Sequence, residues 1–185
     1  FYDGALTPLP FTLSGGVTVA RVITDGTDGP DTLTADDDLI VGTSGQDAIK
    51  AGAQNDTIDG GAGADIIDAG TGNDRVIYDM ADLRVFGGTG TDTLVINVAD
   101  TADGGSVSTA ARTNTTAGDV DLTVVGRSIV DGFEVIDMSG NNSNQTVRLD
   151  KLSVLAMSDS GKVTVKGDLN DVIKLYGGWI STGIE

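Results

Sequence analysis

The chain has 185 residues, a formal net charge of −17, no cysteine and no histidine. So acidic a surface repels nucleic acid and anionic membranes. Without those two residue types, disulfides, a zinc-protease motif, a Ser-His-Asp triad and a thiol nucleophile are all excluded on this chain. The length allows one or two units with a modest core, and no apolar run approaches the length of a membrane span.

The acidic residues are almost all aspartate, with Glu134 and Glu185 the only glutamates. The chain begins at Phe1 without an initiator methionine or a signal peptide, and so reads as a segment of a longer protein. Residues 1–25 carry the alternating runs Phe11-Thr12-Leu13 and Val17-Thr18-Val19-Ala20-Arg21-Val22, which predict strands pairing beside whatever follows.

From residue 26 to residue 99 the chain is organised by a period of nine. Aspartate recurs at Asp38, Asp47, Asp56, Asp65 and Asp74, and again at Asp92 after one skipped turn. Two residues after each stands an aliphatic: Ile40, Ile49, Ile58, Ile67, Val76 and Leu94. Glycines fill the turn before it, as in Gly60-Gly61-Ala62-Gly63-Ala64-Asp65-Ile66-Ile67-Asp68. A tight turn followed by a very short strand makes half a coil, so two repeats close one full coil and the aliphatics stack eighteen residues apart. Glycine admits the left-handed dihedrals that let main-chain carbonyls share a centre with the aspartate, an all-oxygen set suited to calcium. An isolated Asp-Gly pair is ordinarily a solvated turn; repeat context is what lifts Asp56, Asp65 and Asp74 above that.

The coil sorts the aspartates into two edges, Asp38, Asp56, Asp74 and Asp92 on one, Asp47 and Asp65 on the other. On the second edge Leu83 stands where an aspartate is expected, so that repeat is expected to keep its coil through Val85 and to lose an ion site. Upstream, Gly26-Thr27-Asp28-Gly29-Pro30-Asp31-Thr32-Leu33 has the same grammar shifted by two residues, an N-terminal cap using Asp28 or Asp31 as ligand. The candidate metal ligands are therefore Asp31, Asp38, Asp47, Asp56, Asp65, Asp74 and Asp92, for several Ca2+ ions. If about five bound, they would bring roughly +10 of charge against the acidic excess, with affinities of roughly 10⁻⁶ to 10⁻³ M.

After Leu94-Val95-Ile96-Asn97-Val98 comes a polar stretch, Asp100 to Asp119, too long for a simple connection and so a functional loop or an unstructured one. Strands are expected at Asp121–Val125, Gly132–Met138, Gln145–Leu149, Lys162–Gly167 and Asp171–Leu175, with a short helix at Ser153–Met157. Tyr176 and Trp179 end the last strand, as a core-capping pair or as part of a ligand platform. Residues 100–185 thus form a β-rich unit, expected to be one compact body with the roll.

The nonapeptide G-G-x-G-x-D-x-U-x resembles the RTX calcium β-roll. The resemblance implies an all-β fold, a parallel calcium β-roll (a β-solenoid) merged with flanking strands and at most one short helix. It also implies type I secretion without an N-terminal signal peptide and folding outside the cell, where calcium is abundant. The segment from Phe133-Glu134-Val135-Ile136-Asp137 to Lys174-Leu175-Tyr176-Gly177-Gly178-Trp179 resembles parts that accompany such repeats in very large bacterial RTX adhesins. One module type of those adhesins binds peptides on a target cell surface and uses calcium to hold a free C-terminal carboxylate. The size and layout of this chain are similar to it.

On that likeness the expected partner is a surface peptide or protein, with Tyr78, Asp79, Asp82, Asp100, Asp103 and Arg112 as candidate ligand residues around the broken repeat and the polar stretch. A structural spacer or folding nucleus, and a module for a neutral glycan, are the competing readings. Neither nucleic-acid binding nor membrane insertion is expected, and the unit reads as a monomeric, non-catalytic module of a longer chain. Ice binding through the ranks Ala35, Ala53, Thr71, Thr89 and Asp37, Asn55, Asn73, Thr91 is discounted, because both ranks are short and irregular.

Overall fold

The computed structural model describes residues 12–13, 17–18, 31–32, 37–96, 119–125, 129–139 and 145–179. In chain order the elements are β1 Thr12–Leu13, β2 Val17–Thr18, β3 Asp31–Thr32, β4 Leu39–Thr43, β5 Ala48–Ala53, β6 Thr57–Gly61, β7 Ile66–Thr71, β8 Arg75–Tyr78, β9 Arg84–Phe86 and β10 Thr93–Ile96. There follow β11 Asp119–Asp121, α1 Leu122–Val125, β12 Val130–Asp131, β13 Val135–Asp137, β14 Thr146–Asp150, α2 Lys151–Met157, β15 Thr164–Lys166 and β16 Val172–Tyr176.

Alternate strands go to opposite walls of a roll. One wall is a six-stranded sheet in the order β15-β13-β10-β8-β6-β4, and the other a five-stranded sheet in the order β12-β9-β7-β5-β3. Every pairing in both is parallel. The register is the sequence period itself: Ile40 pairs with Ile58, Ile58 with Val76 and Val76 with Leu94, while Ile49 pairs with Ile67 and Ile67 with Val85. Because strand side chains alternate faces, a register of eighteen keeps each aliphatic behind the one before it. These inward residues are 0–2% exposed and belong to a single core cluster. The architecture is all-β, a parallel β-roll.

The coil does not end with the glycine repeats. Thr93 pairs with Val135 and Val85 with Val130, so the next rung on each wall comes from beyond the polar stretch, most of which lies outside the described residues. Ile136 and Val130 join the core fully buried. A third parallel sheet, β11-β14-β16, stands beside the later coils.

One expectation for the flanks needs correction. Asp121–Val125 was expected as one strand. Instead, the chain turns after β11 into α1, where Asp121 accepts hydrogen bonds from the backbone N–H and hydroxyl of Thr123, and Leu122 is buried against β14 and α2. Tertiary packing overrides the β-propensity of the Val124-Val125 pair. The N-terminal strands β1 and β2 pair antiparallel with each other, and among the described residues neither joins a wall of the roll. The second helix is where it was expected, capped by Asp150, whose carboxylate accepts from the Ser153 N–H at 2.7 Å while the Ser153 hydroxyl accepts from the Asp150 N–H at 2.9 Å.

Candidate metal centre: two carboxylate ranks along the edges of the roll

Each repeat places its aspartate at the last turn residue before a strand, and the eighteen-residue register lines these up one coil apart. Asp38, Asp47, Asp56, Asp65, Asp74 and Asp92 are each no more than 3% exposed. Burying ionised carboxylates in series is costly unless each is satisfied. Here four of the six have one oxygen satisfied by the backbone of the preceding coil. The N–H of Asp38 donates to Asp56 Oδ1, that of Asp56 to Asp74 Oδ1 and that of Asp74 to Asp92 Oδ1, all at 2.8 Å. On the other edge the Asp47 N–H donates to Asp65 Oδ1, also at 2.8 Å.

The second oxygen is a different matter. Asp56 Oδ2, Asp65 Oδ2, Asp74 Oδ2 and Asp92 Oδ2 are buried without a hydrogen-bond partner, as is Asp47 Oδ1. Buried polar atoms are nearly always paired, so a regular series of orphans marks a missing counterpart. Burial lifts the carboxyls of Asp56 and Asp92 from the ordinary value of 3.8 to about 6 and that of Asp65 to about 7, with the neighbouring rank members adding repulsion. Asp74 moves in the same direction, again chiefly by burial.

Glycine builds the other half of the site. Gly61, with φ of +82°, would drive a side chain into the carbonyl oxygen of Thr43, and Gly72, with φ of +141°, into that of Gln54. Turns one coil apart therefore face each other carbonyl to backbone at a distance only glycine tolerates. A Cβ on Gly60 would lie 2.7 Å from Asp65 Oδ2, so the carboxylate folds back over its own glycine turn. Among the described residues no three acidic side chains converge on one point. The acids run in ranks one coil apart, a spacing of roughly 4.8 Å, and a cation there would take its remaining ligands from main-chain carbonyls. Open carboxylate oxygens beside carbonyl-lined turns form a hard-oxygen donor set, which fits calcium. Asp56, Asp74 and Asp92 on one edge, and Asp47 and Asp65 on the other, would hold it. It would supply the positive charge that lets these buried groups stay ionised.

The broken repeat departs from expectation. Leu83 is 47% exposed, yet the rank is not interrupted, because Asp82, one residue earlier, is buried in its place. Its carboxylate accepts from the backbone N–H groups of Asp65 and Asp79, and burial pushes it up to about 8. Asp79 closes this short turn by accepting from the Ala81 N–H at 2.8 Å. That edge thus keeps a carboxylate at this rung, supplied by Asp82. Val85 keeps its inward place, fully buried.

The same observation reassigns two candidate ligand residues. Tyr78 is 7% exposed, on the inward side of β8, and Asp82 belongs to the rank; neither offers a surface to a ligand. Asp79 is half-buried, and Asp100, Asp103 and Arg112 lie outside the described residues. Asp31 on β3 is in register with Ile49, two residues past Asp47, the same two-residue shift that the sequence shows. Asp28 lies outside the described residues.

The sequence reading missed Glu134. The Asp92 N–H donates to Glu134 Oε2 at 3.0 Å, and the Ser158 hydroxyl to Oε1 at 3.3 Å, so a glutamate from beyond the polar stretch closes the first rank. The signal was present: Glu134-Val135-Ile136 repeats the acid-x-aliphatic spacing of Asp92-Thr93-Leu94. Thr43 was also passed over. In a turn with fewer glycines, its N–H and hydroxyl donate to Asp47 Oδ2 at 2.7 and 2.9 Å. The outer rank Asp37, Asn55, Asn73, Thr91 is a second ladder: the N–H groups of Asn55, Asn73 and Thr91 donate to the side-chain oxygen one coil earlier, at 2.8–2.9 Å.

Compared with known protein families, residues 41–76 match the RTX calcium-binding nonapeptide repeat, in four copies. No curated protein and no solved structure matches the chain. The repeats are calcium-binding. Repeats of this kind are typical of exported proteins, and among the described residues no helix is long and apolar enough to cross a membrane.

Proposed function

We propose that the chain is a calcium-dependent ligand-binding module of a large, type I-secreted bacterial adhesin, displayed outside the cell and taking a peptide or protein C-terminus on a target surface. The observation that supports it is the double rank of buried carboxylates, in which Asp47, Asp56, Asp65, Asp74 and Asp92 each keep one oxygen without a hydrogen-bond partner, along the edges of a roll whose core is one side chain thick. Calcium at such an edge folds the roll, and a cation with a free coordination position attracts a carboxylate that the acidic surface alone would repel. The chain acts by binding rather than by catalysis, since the aspartates that could serve as paired acids are committed to the ranks.

The test is retention of labelled protein on intact cells and on a peptide array, in millimolar calcium and with a chelator, with C-terminally amidated peptides alongside. Retention that needs calcium, and is lost on amidation, is the expected result. Calcium-folded protein that stays on neither surface overturns the peptide reading. The spacer or folding-nucleus reading would then lead, and the burial of Tyr78 and Asp82 already favours it by removing two candidate contact residues from the surface. A calcium-dependent neutral-glycan module is tested by the same retention on glycan arrays.

A further inference from the structure

The far end of the molecule is built unlike the edges. Val147 and Leu149 of β14 are buried inward residues, and their register partners on β16, Ile173 and Leu175, are 44% and 52% exposed. The rank continues for one more rung and then stands open. Among the described residues no strand pairs with the outer edge of β16 or of β15, which are the last members of their sheets. Between them lies a groove of about 420 Å³, lined by Leu149, Val154, Val163, Val165, Ile173, Leu175 and Trp179 with Lys162 at its rim.

Charge tells what would lie in it. Two outward pairs in register carry opposite signs, Lys50 with Asp68 at 3.4 Å and Asp121 with Arg148 at 3.9 Å. Asp137 stands in register with Lys166, and Arg148 with Lys174. Both sheets therefore end on an exposed lysine, and neither lysine has an ion pair among the described residues. In a chain of net charge −17, these two lysines stand on the strands whose Val165, Ile173 and Leu175 line the groove.

We infer that this groove accepts an extended protein strand in which aliphatic and acidic residues alternate. It adds to the outer edge of β16, with aliphatics over Ile173 and Leu175 and an acid beside Lys174. Exposed edges are templates for strand addition, backbone hydrogen bonds giving affinity and alternate side chains giving selectivity. Lys162 lines the opposite side.

The experiment uses the whole chain in millimolar calcium and amidated seven-residue peptides, alternating Val with Asp or Val with Lys. Amidation removes the free carboxylate, so this binding and the calcium-held carboxylate proposed above can each fail without the other. The Val–Asp peptide is expected to bind at least tenfold more tightly than the Val–Lys peptide. Lys174→Glu, an exposed change that leaves the calcium-induced fold intact, reverses the preference, and Ile173→Asp abolishes binding of both. The inference is overturned if neither peptide binds or if Lys174→Glu leaves the preference unchanged. It is also overturned if sedimentation shows the groove filled by a second copy, or if peptide binds only after residues 180–185 are removed, since each gives the groove another occupant.

Discussion

At the scale of single residues, the ranks use a few positions unequally. Gln54 sits at φ of +79°, the left-handed region, at the position where Gly72 and Gly90 stand in later coils. That conformation costs a side-chain-bearing residue roughly 1–2 kcal/mol. Gln54 is exposed, so Gln54→Gly is expected to raise the stability of the calcium-bound protein by about 1 kcal/mol, read from urea unfolding. Asp82 and Leu83 make a sharper pair. Asp82→Ala removes a buried rank member and leaves the Asp65 N–H without its acceptor, for a loss of about 1–3 kcal/mol, whereas Leu83→Ala stays within about 0.5 kcal/mol. Equal losses would show that Asp82 does not hold the rung. The rank also dictates a pH response. Folded-state values of about 6 to 8 for Asp56, Asp65, Asp82 and Asp92 lie above the ordinary 3.8, so the folded chain holds more protons than the unfolded one. In calcium-free protein that contribution is full below pH 4 and is lost as pH rises through 6 to 8. Calcium needs the deprotonated groups, so its folding midpoint is expected to rise about tenfold or more from pH 8 to pH 6, followed by circular dichroism. A midpoint independent of pH would count against these carboxylates as ligands.

At the scale of elements, the register turns a repeat into a wall. If Ile136 is the fifth member of the rank begun by Ile40, truncating it should hurt as much as truncating Ile58, although it lies far outside the glycine repeats. Ile58→Ala and Ile136→Ala are each expected to cost about 2–5 kcal/mol, measured by calcium-saturated chemical unfolding; a negligible loss at Ile136 would mean the later coil is only loosely joined. The calcium roll, its inward aliphatics and its two edges were legible because periods of nine and eighteen are local. Legibility stopped where a rung depends on something outside its own window. Glu134 follows a long polar stretch, and its longer side chain set it apart from the aspartates it continues. Asp82 is one residue out of phase, an offset the Asp79–Asp82 turn absorbs. Leu122–Val125 has the composition of a strand, and only its packing on α2 and β14 makes it helical. Tyr78 was a candidate ligand residue because it adjoins the broken repeat, whereas it lies two residues after Val76 on the same inward face of β8.

At the scale of the whole molecule, stability is distributed along one axis. The roll has no disulfide, and its walls carry buried acids whose mutual repulsion, in a chain of net charge −17, opposes folding without a counterion. Asp137 is an exception: burial would raise its carboxyl, but the Ser139 hydrogen bonds and the Arg75 guanidinium at 2.9 Å together outweigh burial and lower it. The two ladders have opposite polarity. Between one coil and the next, the Asp56 N–H reaches forward to Asp74, while the Asn73 N–H reaches back to Asn55. Each of the three junctions between Asp37-Asp38 and Thr91-Asp92 is therefore clasped from both sides by adjacent residues, and the coils between them are complete only with both neighbours. Such a chain behaves as a one-dimensional lattice with strong nearest-neighbour coupling, in which order spreads as a front and a defect acts as a wall between phases. Asp74→Ala places that wall mid-lattice. A single steep calcium-induced transition should then resolve into two shallower ones, one for the coils before the defect and one for those after it, and calorimetry at graded calcium would separate them.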